Sequence, residues 1–430
     1  MVPASRSLVE VDFGPVRPIV TTMSDRSTIL VNVHGPDHPG ISAGLMDVLQ
    51  ATGAEVFDIE QIVVRGRLTL NVLIGVDGEK ATIRDLLLFG WEQRLHIEFE
   101  VVDPIPTPIK SMTVVTVLGE RIGPDDFGAV ATAIANGGGN IERIFRLSRY
   151  PVVSYELAVS NGDTQKIREQ LIVAAAERPI DIAIQPEGLE RRAKRMVVMD
   201  VDSTLIENEV INLLADEAGV GEEVAAITAA AMGGEIDFEA SLRQRVALLE
   251  GLDESAMERA RSRINVTPGA RTFIRTLRRM GMKTAIVSAG FTRFADRLAA
   301  DLDIDYSLSN TLEVVDGRLT GGLAGEFVDG PRKGTFLQEI AAKEGISTAQ
   351  VVAVGDGAND IDMLSVAGLG IAFNAKPVVK ERADTSVSVP YLDAILFLMG
   401  VRRDHVEAAD AADPEFEQNG LIAIPGTPPT

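Results

Sequence analysis

The sequence predicts a multidomain α/β chain: two small βαββαβ units, then a doubly wound parallel sheet carrying a helical cap. Three observations predict it. One order of strand-like and helix-like stretches occurs twice before residue 190. Beyond that point, continuously apolar strand runs alternate with helical stretches, which implies a parallel sheet covered on both faces. Between the first of those strands and the rest lies a block with helical spacing alone.

Residues 1–26 contain an apolar patch but not the ordered basic, apolar and small-residue regions of a secretory signal. They read as a disordered extension. The first unit, 27–105, opens with the strand STILVNVHG and the amphipathic stretch HPGISAGLMDVLQATG. AEVFDIEQIVVRG and RLTLNVLIGV follow as strands about a turn at Gly66, then the helix IRDLLLFGWEQRL and the strand IEFEVV. The second unit, 109–187, repeats this order from MTVVTVLGE to DIAIQP. That order is the ferredoxin-like one, and DPIPTP at 103–108 is a proline-rich joint between the two.

The strand–turn–helix HGPDHPGISAGL, residues 34–45, resembles the opening of an ACT domain, a module that often senses amino acids. The resemblance implies an effector, serine in this reading, at the strand–helix junction, with Gly35, Asp37 and Gly40 the positions involved. Backbone donors and the helix N-terminus can receive a carboxylate there. The matching stretch of the second unit, GERIGPDDFG at 119–128, is longer and has Phe127 where the first has Pro39. The second unit is therefore expected to pair subunits rather than bind ligand. Sheets of such domains commonly pair between subunits, so the resemblance implies a homodimer.

ERRAKR, residues 190–195, reads as a solvated basic linker into the third domain, 195–403. Its strands are RMVVMD, TAIVSA, VVAVGD and LGIAF. The cap, about 207–265, contains four helical stretches beginning at NEVINLLADEAG. EVVDGRLTGGL reads as a β-hairpin turning at Asp316-Gly317, a small flap. Residues 404–430, rich in Asp, Glu, Ala and Pro, are expected to be a disordered acidic tail.

The bulk properties narrow the function. Of 430 residues, 41 are basic and 63 acidic, a net charge of −22, which argues against nucleic-acid and anionic-membrane partners. The absence of cysteine removes disulfides, thiolate catalysis and Cys-ligated zinc, and agrees with a reducing cytoplasm. No apolar run approaches a membrane span.

Four pieces end strands or lie just after them: DVDST at 200–204, Ser288-Ala289-Gly290, Lys333, and GDGANDIDM at 355–363. In a doubly wound sheet these ends form the ligand crevice. Asp200 and Asp202, two apart on an extended chain, point the same way and repel, and burying either unpaired is costly. A cation makes the arrangement favourable. Asp200, Asp202, Asp356 and Asp360 are hard oxygen donors, few enough to suit a Mg²⁺ ion that keeps waters. The histidines, at 34, 38, 96 and 405, lie away from this set, which disfavours zinc. A metal, a carboxylate and a lysine suit phosphoryl transfer. Asp200 attacks phosphorus, Lys333 and the ion neutralise the phosphoryl oxygens, Ser288 and nearby backbone N–H groups hold them, and Asp202 is the general acid and base.

In this order, the four pieces resemble the haloacid dehalogenase superfamily of phosphatases over roughly residues 195–403. The resemblance implies Asp200 and Asp202 as catalytic residues and Asp200, Asp202 and Asp356 as metal ligands with Asp360 behind them. Ser288, Ala289, Lys333 and Asn359 would contact the phosphate. Ala289 stands where glycine is the commoner choice. In the cap, Glu209, Met232, Phe238 and Arg245 resemble the phosphoserine phosphatase family. There the glutamate meets the substrate ammonium and the arginine its carboxylate, while Met232 and Phe238 would shield the site. The expected function is Mg²⁺-dependent hydrolysis of phosphoserine, completing serine synthesis. A phosphotransferase acting on another small alcohol, and a regulatory amino-acid-binding protein with a vestigial phosphatase domain, are the alternatives.

Overall fold

A computed structural model describes residues 27–103 and 112–413. The expectations for residues 1–26, for most of the proline-rich joint and for 414–430 lie outside the described residues. The chain divides into two compact units, Met1–Pro108 and Ile109–Thr430.

The first unit runs β1 (Ser27–Pro36), α1 (Ile41–Ala51), β2 (Glu55–Val64), β3 (Arg67–Val76), α2 (Glu79–Gln93) and β4 (His96–Val102). Its antiparallel sheet has the order β2-β3-β1-β4. Period-two alternation sends Ile29, Val31, Val33, Leu68, Leu70, Val72 and Ile74 into one core with Ile41, Leu45, Leu49 and Leu86 of the helices. Arg65 and Gly66, at φ 52° and 71°, make the two-residue turn that joins β2 to β3. β2 is exposed along its whole length despite its apolar residues, because it is an edge strand that contributes nothing to this core.

The second unit opens with the same plan: β5 (Met112–Gly119), α3 (Pro124–Asn136), β6 (Asn140–Ser148), β7 (Val153–Ser160), α4 (Thr164–Ala176) and β8 (Asp181–Pro186), in the order β6-β7-β5-β8. Asp163 starts α4 by accepting from the N–H groups of Gln165 and Lys166. A single turn, α5 (Leu189–Arg192), follows. The expected solvated linker is instead pinned down. Arg191 is buried and ion-paired with Glu156, and Lys194 Nζ donates to the carbonyls of Ala349 (2.7 Å) and Gly368 (3.0 Å).

Next come β9 (Met196–Met199) and the cap helices α6 (Val210–Ala218), α7 (Gly221–Met232), α8 (Phe238–Ala247) and α9 (Glu254–Ser262). The chain returns through α10 (Ala270–Arg279), β10 (Lys283–Phe291), α11 (Thr292–Leu302), β11 (Tyr306–Val315), β12 (Arg318–Ala324) and α12 (Gly330–Lys343). It closes with β13 (Val351–Gly355), α13 (Ile361–Val366), β14 (Leu369–Phe373), α14 (Pro377–Lys380), β15 (Thr385–Val387), α15 (Ile395–Leu398) and α16 (Arg403–Ala411). The sheet order is β12-β11-β10-β9-β13-β14-β15, parallel except at β12. Strand order reverses at β9, with β10 on one side and β13 on the other, so the crevice opens at the carboxyl end of β9.

Two chain crossings connect cap and core. Ile206 pairs with Val266, Glu207 N donates to Asn265 O (2.9 Å), and Asn265 N donates to Asn208 Oδ1 (2.7 Å). The β11–β12 hairpin turns at Asp316 and Gly317, both at positive φ, and is bonded to the cap through Gly251 N to Leu319 O (2.8 Å) and Leu319 N to Leu252 O (2.9 Å). The ACT-like sheet of this unit docks on the β15 side of the larger sheet. Asp181, buried at the start of β8, accepts from Ser388 N (2.6 Å), while Gln185 Nε2 donates to Leu398 O (2.8 Å) and Thr385 Oγ1 to Ile182 O (3.2 Å).

The expectation of a disordered tail from residue 404 is corrected for its first part. Residues 403–411 form α16, because Asp410 takes a bidentate pair of hydrogen bonds from Arg275 (2.9 Å each) and a further ion pair from Arg279 on α10.

Candidate active site

β9 is apolar and buried to Met199, then delivers Asp200, whose N–H still bonds Val354 O at 2.9 Å. Asp200 is therefore held in the sheet at the switch point, 5% exposed. Lys333, in the first turn of α12, has no exposed surface. Its Nζ donates to Asp200 Oδ1 (2.5 Å) and Asp360 Oδ1 (2.7 Å). Burial pulls that ammonium down, but Asp200 and Asp360 outweigh burial and the net shift is upward.

The G-D-G-x-N-D motif has a steric logic. Asp360 Oδ2 reaches back to the N–H groups of Asp356 (3.1 Å) and Gly357 (2.9 Å). A Cβ on residue 355 would stand 2.5 Å from Asp360 Cγ, and one on residue 357 would stand 2.3 Å from Asn359 Oδ1. Only glycine lets the acid and the amide fold over the strand end.

Asp200, Asp356 and Asp360 each bring an oxygen within 4.8 Å of the others. Lys333 takes one oxygen of Asp200, and Thr204 Oγ1 takes one of Asp356 at 3.2 Å. Burial first, then Asp360 and Glu209, push the Asp356 carboxyl up to about 7 against the opposing Lys333 and Thr204. Burial and Asp360 likewise push Asp200 up, with Lys333 opposing. The cluster has too little positive charge of its own. A hard divalent cation that keeps several waters suits this donor set and would relieve the excess.

Asp202, expected beside Asp200 and Asp356, engages both of its carboxylate oxygens in hydrogen bonds. Asp202 keeps an extended backbone, φ −66° and ψ 129°, and the chain then turns at Ser203, φ 60°, within residues 201–205. Asp202 Oδ1 accepts from Val210 N (2.7 Å) and Oδ2 from Ser288 Oγ (2.9 Å). Burial pushes its carboxyl up and these two donors oppose the shift. Ser288 Oγ also accepts from Gly290 N at 2.7 Å. The peptide carbonyl of Ala289 is pinned by Asn310 Nδ2 (2.9 Å), whose Oδ1 accepts from Val328 N (2.9 Å).

Glu209 precedes α6, and its carboxylate accepts from Ser203 Oγ at 2.9 Å. Desolvation and then Asp202 push it up, opposed by Ser203, Arg245 and Lys376. Arg245 on α8 is half-buried, donating from Nε to Ser241 O at 3.3 Å. Phe238 packs at a tilt on Phe327, ring centroids 6.3 Å apart. Met232, at the end of α7, is exposed, with Sδ 3.9 Å from Lys376 Nζ. Direct contacts thus join Asp200, Asp356, Asp360 and Lys333 in one set and Asp202, Ser288 and Val210 in another, and Ser203 connects Glu209 to the turn that carries Asp202. Met232 and Phe238 lie on the cap, where they meet Lys376 and Phe327.

Sequence reasoning passed over Thr204, Asn310, Phe327 and Lys376. The threonine of D-x-D-x-T was a signal for the first, and the sequence held none for Asn310. In the first unit, Gly40 (φ 98°) precedes α1, Asp37 N donates to Gly66 O (2.9 Å), and a Cβ on buried Gly35 would meet Leu95 Cδ2 at 2.5 Å. At the start of α3 in the second unit, the Asp126 carboxylate already takes Gly123 N at 2.9 Å. A ligand carboxylate would meet a like charge there.

The family models that match are a haloacid dehalogenase-like hydrolase over residues 197–365 and ACT domains over 27–100 and 111–185. The chain is 50% identical over 397 residues to a phosphoserine phosphatase of Streptomyces coelicolor, spanning 90% of this chain and 95% of that protein. It is 46% identical over 398 residues to phosphoserine phosphatase SerB2 of Mycobacterium tuberculosis, spanning 91% and 97%. Among solved structures, an unliganded probable phosphoserine phosphatase from Vibrio cholerae superposes with a TM-score of 0.54 at 34% identity, covering 69% of this chain and 88% of that one.

Proposed function

We propose, for a chain that belongs to the haloacid dehalogenase-like hydrolases and within them to the phosphoserine phosphatases, that Asp200 is the nucleophile and Mg²⁺ the cation of the acidic cluster. The observation that carries this reading is Lys333: a fully buried ammonium shared between Asp200 and Asp360. Asp360 spends both oxygens on this lysine and two backbone N–H groups, so it orients. Asp200 and Asp356 would hold the ion, which when bound supplies charge neutralisation of the phosphoryl oxygens.

An Asp200 oxygen attacks phosphorus, the bond from phosphorus to the serine oxygen breaks, and the phosphoryl group rests on Asp200. Lys333 balances the negative charge on the transferring oxygens, with the Ser288 hydroxyl beside them. Asp202 gives its proton to the leaving serine oxygen; the upward push from burial favours the protonated form that this step requires. Asp202 then takes a proton from a water molecule, which displaces Asp200 from phosphorus and releases inorganic phosphate. Glu209 and Arg245 would receive the ammonium and carboxylate, and Met232 and Phe238 would close over them. Rapid acid quench with ³²P-phosphoserine tests the scheme: label should appear on the wild-type chain and be absent from D200N. Equal labelling of D200N would remove Asp200 as nucleophile.

The reaction would complete serine synthesis in the cytoplasm, the compartment a cysteine-free chain suits. The first ACT domain would bind serine about Gly35, Asp37 and Gly40 and lower the rate. What supports it is a helix start beyond Gly40 that no side chain caps. Two chains would pair through sheet edges. β2 supports this with exposed Ile59, Ile62 and Val64, and β6 with exposed Ile144 and Phe145. Calorimetry of the full chain with serine, and sedimentation of the full chain, test these readings.

A further inference from the structure

Lys376 stands on the core side of the cleft. It precedes α14, and its N–H reaches Asp356 O at 3.4 Å. Two residues earlier, Asn374 turns the chain at φ 46° and is fixed by Asn374 N to Val387 O (2.8 Å) and Nδ2 to Val389 O (3.4 Å). The lysine side chain then crosses to the cap, where its Nζ lies 3.9 Å from Met232 Sδ. Its charge acts on Glu209, and so does that of Arg245 on α8. Two cations therefore act on Glu209, one carried by the cap and one by the core.

Phosphoserine hangs its ammonium and carboxylate on a single carbon, so the two groups lie about 3 Å apart. With the ammonium on Glu209, the carboxylate falls among the cations that act on Glu209. The cleft also needs that charge. Asp200, Asp356, Asp360 and Glu209 outnumber Lys333 and Arg245, and the substrate brings a phosphate and a carboxylate against one ammonium.

We infer that Lys376 is a specificity-determining residue: together with Arg245 it grips the substrate carboxylate, which thereby ties the cap to the core. The assignment rests on the reading of Glu209 and Arg245 given above. The carboxylate does more than occupy a subsite. It supplies the bond across the cleft that holds the cap down while phosphorus reacts, so a substrate without it binds to an enzyme that closes poorly.

The test compares phosphoserine with O-phosphoethanolamine, which lacks only the carboxylate, by kcat/KM or by competitive inhibition constant where the analogue turns over too slowly. K376M keeps length and removes charge; because Lys376 is exposed, its melting temperature should match wild type. K376M should lower kcat/KM for phosphoserine about tenfold, mainly through KM, as expected for one lost charge-assisted contact. It should change the analogue less than about twofold, and K376R should recover most of the loss. Equal losses on both substrates, or no loss on phosphoserine, overturn the assignment. R245M, measured in parallel, keeps the two readings apart. If R245M leaves discrimination between the substrates intact while K376M abolishes it, the role given to Arg245 falls and that of Lys376 stands.

Discussion

The carboxylate of Asp202 accepts the backbone N–H of Val210 at 2.7 Å, so the proposed general acid is fastened to the first residue of the first cap helix. Its other oxygen is fastened to Ser288 in the core. Cap position and acid orientation are thus set by one side chain, and a shift of the cap relative to β10 must turn that carboxylate or break one of its two bonds.

Replacement of Asp202 by asparagine keeps an oxygen for Val210 while removing the acidic carboxyl proton. The kcat of D202N should fall by about 10²- to 10⁴-fold, the usual contribution of general acid–base catalysis, with the circular dichroism spectrum unchanged. Activity within about threefold of wild type would exclude Asp202 as the acid.

Gly290 offers a test that leaves every polar group in place. A Cβ there would stand 2.6 Å from Asp202 Oδ2 and 2.8 Å from Ser288 Oγ, so G290A must push the acid or the hydroxyl aside. We expect kcat/KM to drop by about 10²-fold, the scale of a misplacement of about 1 Å. A steady-state assay that finds wild-type turnover would show that these two groups tolerate displacement.

Lys333 is the only cation in contact with Asp200 and Asp360 among the described residues. K333M strands two carboxylates in a buried site, a change that costs about 3–5 kcal/mol. Urea melts without divalent ions should show that loss, and added Mg²⁺ should return part of it. Unchanged stability would mean that solvent reaches the pair freely.

The Asp356 carboxyl, pushed up to about 7, gives cation binding a pH dependence. The proton and the ion compete for the same oxygens, so Mg²⁺ affinity should weaken about tenfold per pH unit below about 7 and level off above it. Without the ion the sign for stability is the reverse. The folded state holds this proton more tightly than the unfolded chain, so stability falls as pH rises from about 4 through 7. Titration calorimetry between pH 5.5 and 8 checks the first statement and pH-dependent urea melts the second. A flat affinity profile would count against Asp356 as a ligand.

Much of this was legible in the sequence because parallel strands announce themselves as apolar runs and place their chemistry at their carboxyl ends. RMVVMD and VVAVGD therefore located Asp200 and Asp356 together. What escaped depended on partners distant in sequence. The acidic, alanine-rich stretch at 404–411 has the composition of a tail and is a helix only because Arg275 and Arg279 face Asp410. Arg191 reads as a surface base until Glu156, on β7, is known to meet it. Asn310 lies mid-strand, with nothing local to show that it holds the Ala289 carbonyl. The left-handed Ser203, which turns the chain just after Asp202, could not be read from DVDST.

The Asp181–Ser388 bond bears on how this polypeptide can be dissected. Trimming it to begin at residue 195 would leave the Ser388 N–H without its acceptor and the Leu398 carbonyl without its donor, and would uncover the flank of the short strand β15. A fragment starting near Ile109 retains the whole second unit. Material prepared from the shorter piece should report a looser cleft, since the loop bearing Asn374 and Lys376 hangs from that same strand.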